Sequence, residues 1–230
     1  MIKIASFGCG VDSVAGLLLS KEQGIEYDEI IFADTNEAER PETYAYLEYF
    51  ERKSGFKITK VKSHLGKIYD YYFNKRCFPL PTFRDCTKKF KITPIRQYLR
   101  KKYGKKETFS MFLYIDYSEF HRMRTSDRKY ITNCYPLVDL KLTREQLLEI
   151  IKEKGYELPI KSGCFFCPFN TKKRWIDLRN NNLDLFEKSK ELEKRAMYKE
   201  NGDRKFNIQP LVKIRGKDSQ TLMECSCFNG

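Results

Sequence analysis

Long apolar segments and secretion signals are both missing from this sequence. It contains no run of roughly 18 consecutive apolar residues, the length that a membrane-spanning helix needs. The start of the chain does not follow the pattern of a signal peptide, because glycines and Asp12 interrupt the position of its apolar core. Histidine is scarce, and neither His64 nor His121 has a partner at the spacing of a metal site. We therefore expect a cytoplasmic protein that has no membrane partner.

Acidic residues are outnumbered by basic ones, and this imbalance indicates the kind of partner. The chain has 44 lysines and arginines against 31 aspartates and glutamates, which gives a net charge of +13. Such a charge attracts polyanions, and we expect a nucleic acid, either tRNA or DNA. The alternative is a lysine-rich surface with no such partner. The 230 residues, of which 41% are hydrophobic, are enough for one domain of substantial size.

The first nineteen residues predict a binding site for an anion. Residues 2–7 form a short, mostly apolar strand, residues 8–13 a loop of small residues, and residues 14–19 the apolar beginning of a helix. The N–H groups of such a loop and the positive end of the helix point to one place, where glycines allow a phosphate to approach. Asp12 and Ser13 are expected to cap the helix. An ordinary β–α turn that uses glycine for its backbone angles is the alternative.

Alternating strands and helices follow this loop and predict a parallel sheet. Residues 29–33 form a second strand and residues 56–61 a third, and a helix over residues 41–55 connects them. Successive units of this kind give parallel strands with right-handed crossovers. Ligands bind at the carboxyl ends of such strands. The later predicted elements are a strand over residues 109–115 and helices over residues 143–155 and 171–199.

Eight cysteines provide a second chemical signal. In a cytoplasmic protein, clustered thiols are more typical of metal binding or thiol chemistry than of disulfides. Cys164 and Cys167 form a CxxC loop among phenylalanines, which is what a thiolate metal site requires. A redox-active pair is the alternative for these two residues. Cys77 and Cys134 are predicted to be incidental.

Five blocks of sequence, in the same order, resemble the phosphoadenosine phosphosulfate (PAPS) reductase family and the PP-loop ATP pyrophosphatases. The loop that contains Gly10, Asp12 and Ser13 is similar to the SGGxDS loop of the pyrophosphatases. The other blocks are FADT…PETYAYL from residue 32, RDCT…KITP from residue 84, the polar residues around Glu119, and YPLVDL from residue 135. The resemblance covers roughly residues 1–195.

This resemblance implies an α/β fold, with a Rossmann-like parallel sheet flanked by helices as in the adenine nucleotide alpha-hydrolases, and a mainly helical, cysteine-bearing C-terminal part. We expect two domains, a nucleotide-binding domain over residues 1–160 and an extension over residues 161–230 that packs on it. The implied cofactor is ATP, or PAPS or APS, with Mg²⁺. The residues expected to bind it are Ser6, Gly8, Gly10, Asp12, Ser13, Asp34, Thr35, Arg84 and Arg122.

The resemblance also implies a metal centre. Cys86 lies where the cluster-bearing reductases of the family have a pair of cysteines that binds a [4Fe-4S] cluster. We expect such a cluster here, or alternatively a structural Zn²⁺ ion. The expected metal ligands are Cys86, Cys164, Cys167 and Cys225. Because the family's nucleophilic cysteine lies in a C-terminal Glu-Cys-Gly context that Glu224 and Cys225 resemble, the expected catalytic residues are Asp12, Cys225 and Cys227.

Three functions agree with these residues. The first is a sulfurtransferase that activates an oxygen of a nucleic acid as an adenylate and replaces it with sulfur from a donor. The second is a sulfonucleotide reductase, in which the Cys225 thiolate attacks the sulfur of an adenylated sulfate and a thioredoxin-like protein restores the thiol. The third is a metal-stapled module that binds a nucleotide without catalysis. We expect the first of these functions. A homodimer of the chain would be compatible with it.

Overall fold

One parallel sheet organises the part of the chain that the computed structural model describes, which is residues 1–79 and 84–197. The strands lie in the order β3-β2-β1-β4-β5, and every pairing is parallel. They are β1 Ile2–Phe7, β2 Glu29–Asp34, β3 Ile58–Lys62, β4 Phe109–Leu113 and β5 Ile131–Cys134. The predicted Rossmann-like α/β fold is therefore confirmed. The roles predicted for Cys225 and Cys227 fall outside the described residues.

Helices cover the sheet and continue beyond it. Those of the first half are α1 Val11–Glu22, α2 Pro41–Ser54, α3 Ile68–Asn74, α4 Asp85–Thr87 and α5 Thr93–Tyr103, with a π-helical turn at Lys88–Ile92 between the last two. Those of the second half are a 3₁₀ turn at Tyr117–Arg122, α6 Pro136–Asp139, α7 Arg144–Glu153, α8 Lys172–Asn181 and α9 Leu183–Met197. None of the helices in the described ranges combines the length and the apolar character that crossing a membrane requires.

Three apolar clusters hold these elements together. The first lies between the sheet and helices α1, α2 and α7, and the second between the sheet and α5. At the contact between α1 and β4, the chain needs a glycine, because a Cβ atom at Gly16 would lie 2.1 Å from the ring of Tyr114. The third cluster joins α3 to α8 and α9. The C-terminal helices therefore pack on residues from the first half of the chain.

Local features explain where the observed elements differ from the predicted ones. The helix predicted over residues 171–199 is two helices, because Asn182 has non-helical backbone angles (φ −143°, ψ 62°). β5 has only four residues and lies at the edge of the sheet, so its alternation of apolar and polar residues was too short to predict a strand. Gly55 ends α2 with a positive φ of 75°, as predicted for a glycine at that position.

Candidate functional site

The loop between β1 and α1 lies at the carboxyl edge of the central strand. Gly10 is the N-cap of α1, and Ser13 fixes the turn, because its hydroxyl accepts from the Gly10 N–H at 3.2 Å and donates to the Gly10 carbonyl at 3.0 Å. The prediction that Asp12 and Ser13 cap the helix is therefore wrong, since both lie in its first turn. Ser6 lies within β1, and Gly8 follows its last residue. The N–H groups of the first turn are available to an anion.

Three carboxylates meet beside this loop. Oxygen atoms of Asp12, Asp116 and Glu119 all lie within 4.8 Å of one another. Asp116 is buried just beyond β4, where it caps the 3₁₀ turn by accepting a hydrogen bond from the Ser118 N–H at 2.8 Å. Because the strand order reverses between β1 and β4, residues that follow these two strands meet at the crevice where such sheets bind ligands. Carboxylate oxygens are the ligands that Mg²⁺ prefers, so this donor set fits a Mg²⁺ ion.

The electrostatics of Asp12 also favour a cation. Burial raises the pKa of Asp12, and the neighbouring Asp116 and Glu119 raise it further, while Arg144 lowers it. The Arg144 guanidinium donates to Asp12 Oδ1 at 2.5 Å. Two arginines, Arg144 at Asp12 and Arg122 at Glu119, thus face three carboxylates in a partly buried site. A divalent ion at this position would reduce the repulsion that remains between them.

The carboxyl end of β2 contributes a second set of polar groups. Asp34 is buried and accepts hydrogen bonds from the Asn36 N–H at 2.8 Å and from the Tyr44 hydroxyl at 2.9 Å. These bonds hold the loop in shape. Thr35 is fully buried, and its hydroxyl has no hydrogen-bond partner among the described residues. A buried hydroxyl without a partner is costly, so Thr35 offers a polar contact to a ligand such as a nucleoside.

Cysteines from separate segments meet in the third apolar cluster. Cys77, Cys86 and Cys164 all contact it. Burial raises the pKa of Cys164 and of Cys167, and the nearby Cys86 raises both values further. We call Cys77, Cys86, Cys164 and Cys167 the thiol cluster. Cys77, which the sequence indicated to be incidental, packs against the same apolar cluster as Cys86 and Cys164.

The spacing of the thiol cluster bears on which metal would fit it. Among the described residues, Cys86, Cys164 and Cys167 do not form a group in which all ligand atoms lie within 4.8 Å of one another. Thiolates on one tetrahedral Zn²⁺ ion lie about 3.8 Å apart, given Zn–S bonds of about 2.3 Å. A [4Fe-4S] cluster distributes its thiolates over separate irons. Three thiols from two segments are a donor set that suits either a [4Fe-4S] cluster or, with a fourth ligand, a zinc ion.

A buried carboxylate ties the thiol cluster to the loops of the sheet. The Glu39 side chain is 1% exposed and accepts hydrogen bonds from the Gly163 N–H at 2.5 Å and from the Lys91 ammonium at 3.2 Å. The backbone of Glu39 also pairs with Cys164 in an antiparallel bridge. Glu39 raises the pKa of Lys91, while Lys91 opposes the rise in the pKa of Cys164. Lys91 lies in the π-helical turn, a feature that is frequent at functional sites.

The CxxC segment also touches the loop that precedes α1. A Cβ atom on Gly10 would lie 3.4 Å from the Ser162 hydroxyl, two residues before Cys164. Burial raises the pKa of Cys9 to about 12, and Glu39 raises it as well. Both observations place the cysteines on the same side of the sheet as the anion-binding loop. The two predicted sites therefore adjoin each other.

The two predicted arginines occupy more peripheral positions. Arg84 has a positive φ of 43° immediately before α4, and its guanidinium lies 5.0 Å from the centre of the Phe169 ring. Arg122 is exposed and forms an ion pair with Glu119. Because Arg84 contacts Phe169 and Arg122 pairs with Glu119, a role in nucleotide binding stays a prediction for both arginines.

Several residues at the site were not predicted as ligands or site residues. Asp116 could have been selected, because it follows a strand in the same way as Asp34 does. For Glu39, Lys91 and Arg144, no local pattern distinguishes them from surface charge. Their partners are distant in sequence, and Gly163 lies 124 positions after Glu39.

Comparison with known proteins identifies the N-terminal part. Residues 3–110 match the family model of the phosphoadenosine phosphosulfate reductase domain. This match covers slightly less than half of the chain. The family that the sequence resembled is thereby confirmed over these residues. The domain contains the anion-binding loop, the end of β2, and Cys86, whereas the CxxC segment lies beyond it.

Two solved structures are similar to this chain. A PAPS reductase from Candida auris, solved as a phosphate complex, has a TM-score of 0.52 and 11% identity, covering 73% of this chain and 83% of that one. It shares the fold of the PAPS reductase domain. The U34-tRNA thiolase NcsA from Methanococcus maripaludis, solved with its [4Fe-4S] cluster, has a TM-score of 0.45 and 15% identity, covering 92% of this chain and 76% of that one.

One curated protein is similar to this chain in sequence. An uncharacterized protein of Methanocaldococcus jannaschii is 28% identical over 209 residues, which is 85% of this chain. The chain spans about half of the length of that relative, 48%. The comparisons thus agree on a fold and, over residues 3–110, on the family of the PAPS reductase domain.

Proposed function

We propose that this protein is an adenine-nucleotide-dependent sulfurtransferase that acts on a nucleic acid. The proposal is carried by one observation, the closeness of the loop before α1 to the CxxC segment, since a Cβ atom on Gly10 would lie 3.4 Å from the Ser162 hydroxyl. An activated phosphate bound over the loop would lie beside the thiol cluster. A sulfonucleotide reductase needs only a nucleophilic thiolate there, whereas a sulfurtransferase needs both an adenylation site and a place to hold sulfur.

The first step of the proposed reaction is adenylation. An oxygen of the nucleic acid attacks the α-phosphorus of ATP, a new O–P bond forms, and pyrophosphate leaves. The N–H groups of the first turn of α1 would bind the phosphates, and Asp12, Asp116 and Glu119 would hold Mg²⁺ against them. Thr35 would bind the nucleoside through its hydroxyl.

The second step is displacement by sulfur. Hydrosulfide adds to the carbon that carries the adenylate, the C–O bond breaks, and AMP leaves. Cys86, Cys164 and Cys167 would hold a [4Fe-4S] cluster, which would supply a site for the sulfide. Lys91 would keep positive charge beside this anionic sulfur, because Glu39 fixes its ammonium near Cys164.

The experiment starts from protein purified without oxygen, in which iron, labile sulfide and zinc are measured. The protein is then incubated with tRNA, Mg-ATP and sulfide, and AMP and thiolated nucleosides are measured by mass spectrometry. We expect iron and sulfide in the protein, and AMP formed in equal amount to the thiolated product. Cys164→Ala should lose the iron and the product, while Cys134→Ala, outside the thiol cluster, should retain both. A colourless zinc protein that forms no AMP would contradict the proposal.

A PAPS reductase is the second candidate, and the family match over residues 3–110 favours it. In this reaction the Cys225 thiolate attacks the sulfur of the sulfonucleotide, the S–O bond breaks, and the nucleotide leaves with its phosphate. A dithiol then reduces the S-sulfocysteine and releases sulfite. Sulfite release from PAPS with dithiothreitol, abolished in Cys225→Ser, would establish this function instead.

A further inference from the structure

The 3₁₀ turn at Tyr117–Arg122 has two faces with different chemistry. Carboxylate oxygens of Asp116, which caps the turn, and of Glu119 lie near Asp12 in the carboxylate site. Glu119 has non-helical backbone angles (φ −99°, ψ 15°), so the turn is kinked there. Tyr117 and Phe120 are exposed to solvent. The turn thus connects the nucleotide site directly to an exposed surface.

Large apolar side chains are unusually exposed on the outer face. Phe120 is 57% exposed, Tyr117 40% and Met123 36%. The rings of Tyr117 and Phe120 are nearly parallel, with an interplanar angle of 28° and centroids 6.0 Å apart. Burying such side chains is favourable, so an exposed group of them marks a binding surface.

Basic residues accompany this apolar group in the sequence, and two of them, Arg122 and Arg128, pair with Glu119 and Asp127. Residues 117–130 contain four arginines and lysines against two acidic residues. His121, Arg122 and Arg124 are all exposed. The Arg124 guanidinium is held in place, because it donates to the carbonyls of His121 at 2.8 Å and Met123 at 2.7 Å. An apolar ring surface with fixed cations beside it fits a partner that offers flat aromatic groups and negative charge.

We propose that Tyr117, Phe120 and Met123 form a stacking surface for an unpaired base of a single-stranded nucleic acid. Bases of any sequence stack on aromatic side chains, and their phosphates pair with arginine. A nucleotide stacked on Phe120 would be next to the carboxylates that hold Mg²⁺, and so close to the adenylation site. This inference rests on the proposed function for its class of partner, a nucleic acid. It adds the surface on which that substrate would bind.

Binding of labelled 12-residue oligouridylate and oligothymidylate to the full-length protein, followed by fluorescence anisotropy, tests this inference. Phe120→Ala should raise Kd roughly tenfold or more, which is the loss expected for one base–aromatic stack. Leu183→Ala is the matched control, because Leu183 is also 57% exposed but lies at the start of α9. This variant should bind as the unchanged protein does.

A conservative replacement gives a second and independent signal. Phe120→Trp should retain the affinity and lose fluorescence on binding, because a stacked base quenches indole emission. The natural Trp175 is 2% exposed and should contribute a constant background. Equal affinity of the Phe120→Ala variant, equally tight binding of a duplex, or a Phe120→Trp signal that does not change would each overturn the inference.

The remaining outcomes separate this inference from the proposed function. Sedimentation velocity of the unchanged protein and of Phe120→Ala detects a second copy on this surface, and a change from dimer to monomer would overturn the inference. If oligonucleotides stack on Phe120 but no AMP or thiolated nucleoside forms, the proposed function is wrong and the stacking surface stands. If thiolation proceeds equally well in Phe120→Ala, the proposed function stands and the stacking surface is wrong.

Discussion

Replacing Glu39 by glutamine tests the link between the sheet and the CxxC segment. In Glu39→Gln the Gly163 N–H keeps a neutral acceptor, but the Lys91 ammonium loses its charged partner. Hydrogen bonds to charged groups contribute about 1.5–3 kcal/mol and neutral ones about 0.5–1.5 kcal/mol. Two weakened bonds, one of them to a Lys91 side chain that is 41% exposed, give an expected loss of about 2–3 kcal/mol. For a chain of this size, that loss lowers the unfolding midpoint by about 4–12 °C.

Glu37→Gln is the control for this measurement. Glu37 also pairs with a lysine, at 2.5 Å from Lys67, but its side chain is 73% exposed. Exposed ion pairs contribute little, so the midpoint of this variant should not change measurably. Calorimetry gives the two midpoints, and hydrogen exchange should show faster exchange over residues 161–167 in Glu39→Gln alone. Equal midpoints and unchanged exchange in both variants would refute the role of Glu39.

Three further predictions concern the loop and the first helix. Gly16→Ala should destabilise the protein by about 1–3 kcal/mol in denaturant titration, because the new methyl group overlaps the Tyr114 ring, and replacing Tyr114 by leucine as well should recover part of the loss. Cys9, whose pKa is raised to about 12 by burial, should stay protonated at pH 8 and react with iodoacetamide far more slowly than Cys134, which peptide mapping measures; equal rates would contradict this. We expect Mg²⁺ to raise the unfolding midpoint of the unchanged protein but not that of Asp12→Asn. Because the pKa of Asp12 is raised in the folded protein, ionisation of this side chain lowers the free energy of unfolding as pH rises above about 4. Asp12→Asn lacks this ionisation. Thermal scans without Mg²⁺ should therefore show that its unfolding midpoint depends less on pH above about 4 than that of the unchanged protein.

The sequence predicted the fold well because its signals are local. Glycines follow β1, Pro41 begins α2 and Gly55 ends it, and each of these residues has one dominant backbone role. The order of strands and helices then determined a parallel sheet with its ligand edge at the carboxyl ends. The break between α8 and α9 was not predicted, because Asn182 is neither a proline nor a glycine.

The site was predictable only where a residue follows a strand or forms a spaced motif. Asp34 and the CxxC pair satisfy this condition. Cys77 and Glu39 do not, because their positions depend on how α3 and the loop after β2 pack against a segment far along the chain. Pairing over such distances follows from the assembled tertiary structure and has no period or spacing in the sequence.

The bond between Glu39 and Gly163 also bears on how this chain is made. Ribosomes add about 5–20 residues per second, so the 124 residues that separate the two partners take roughly 6–25 s to synthesise. During this interval, the later segments that cover Glu39 and the apolar residues of the third cluster have not yet been synthesised. We expect this half to need a chaperone or low temperature when it is expressed alone.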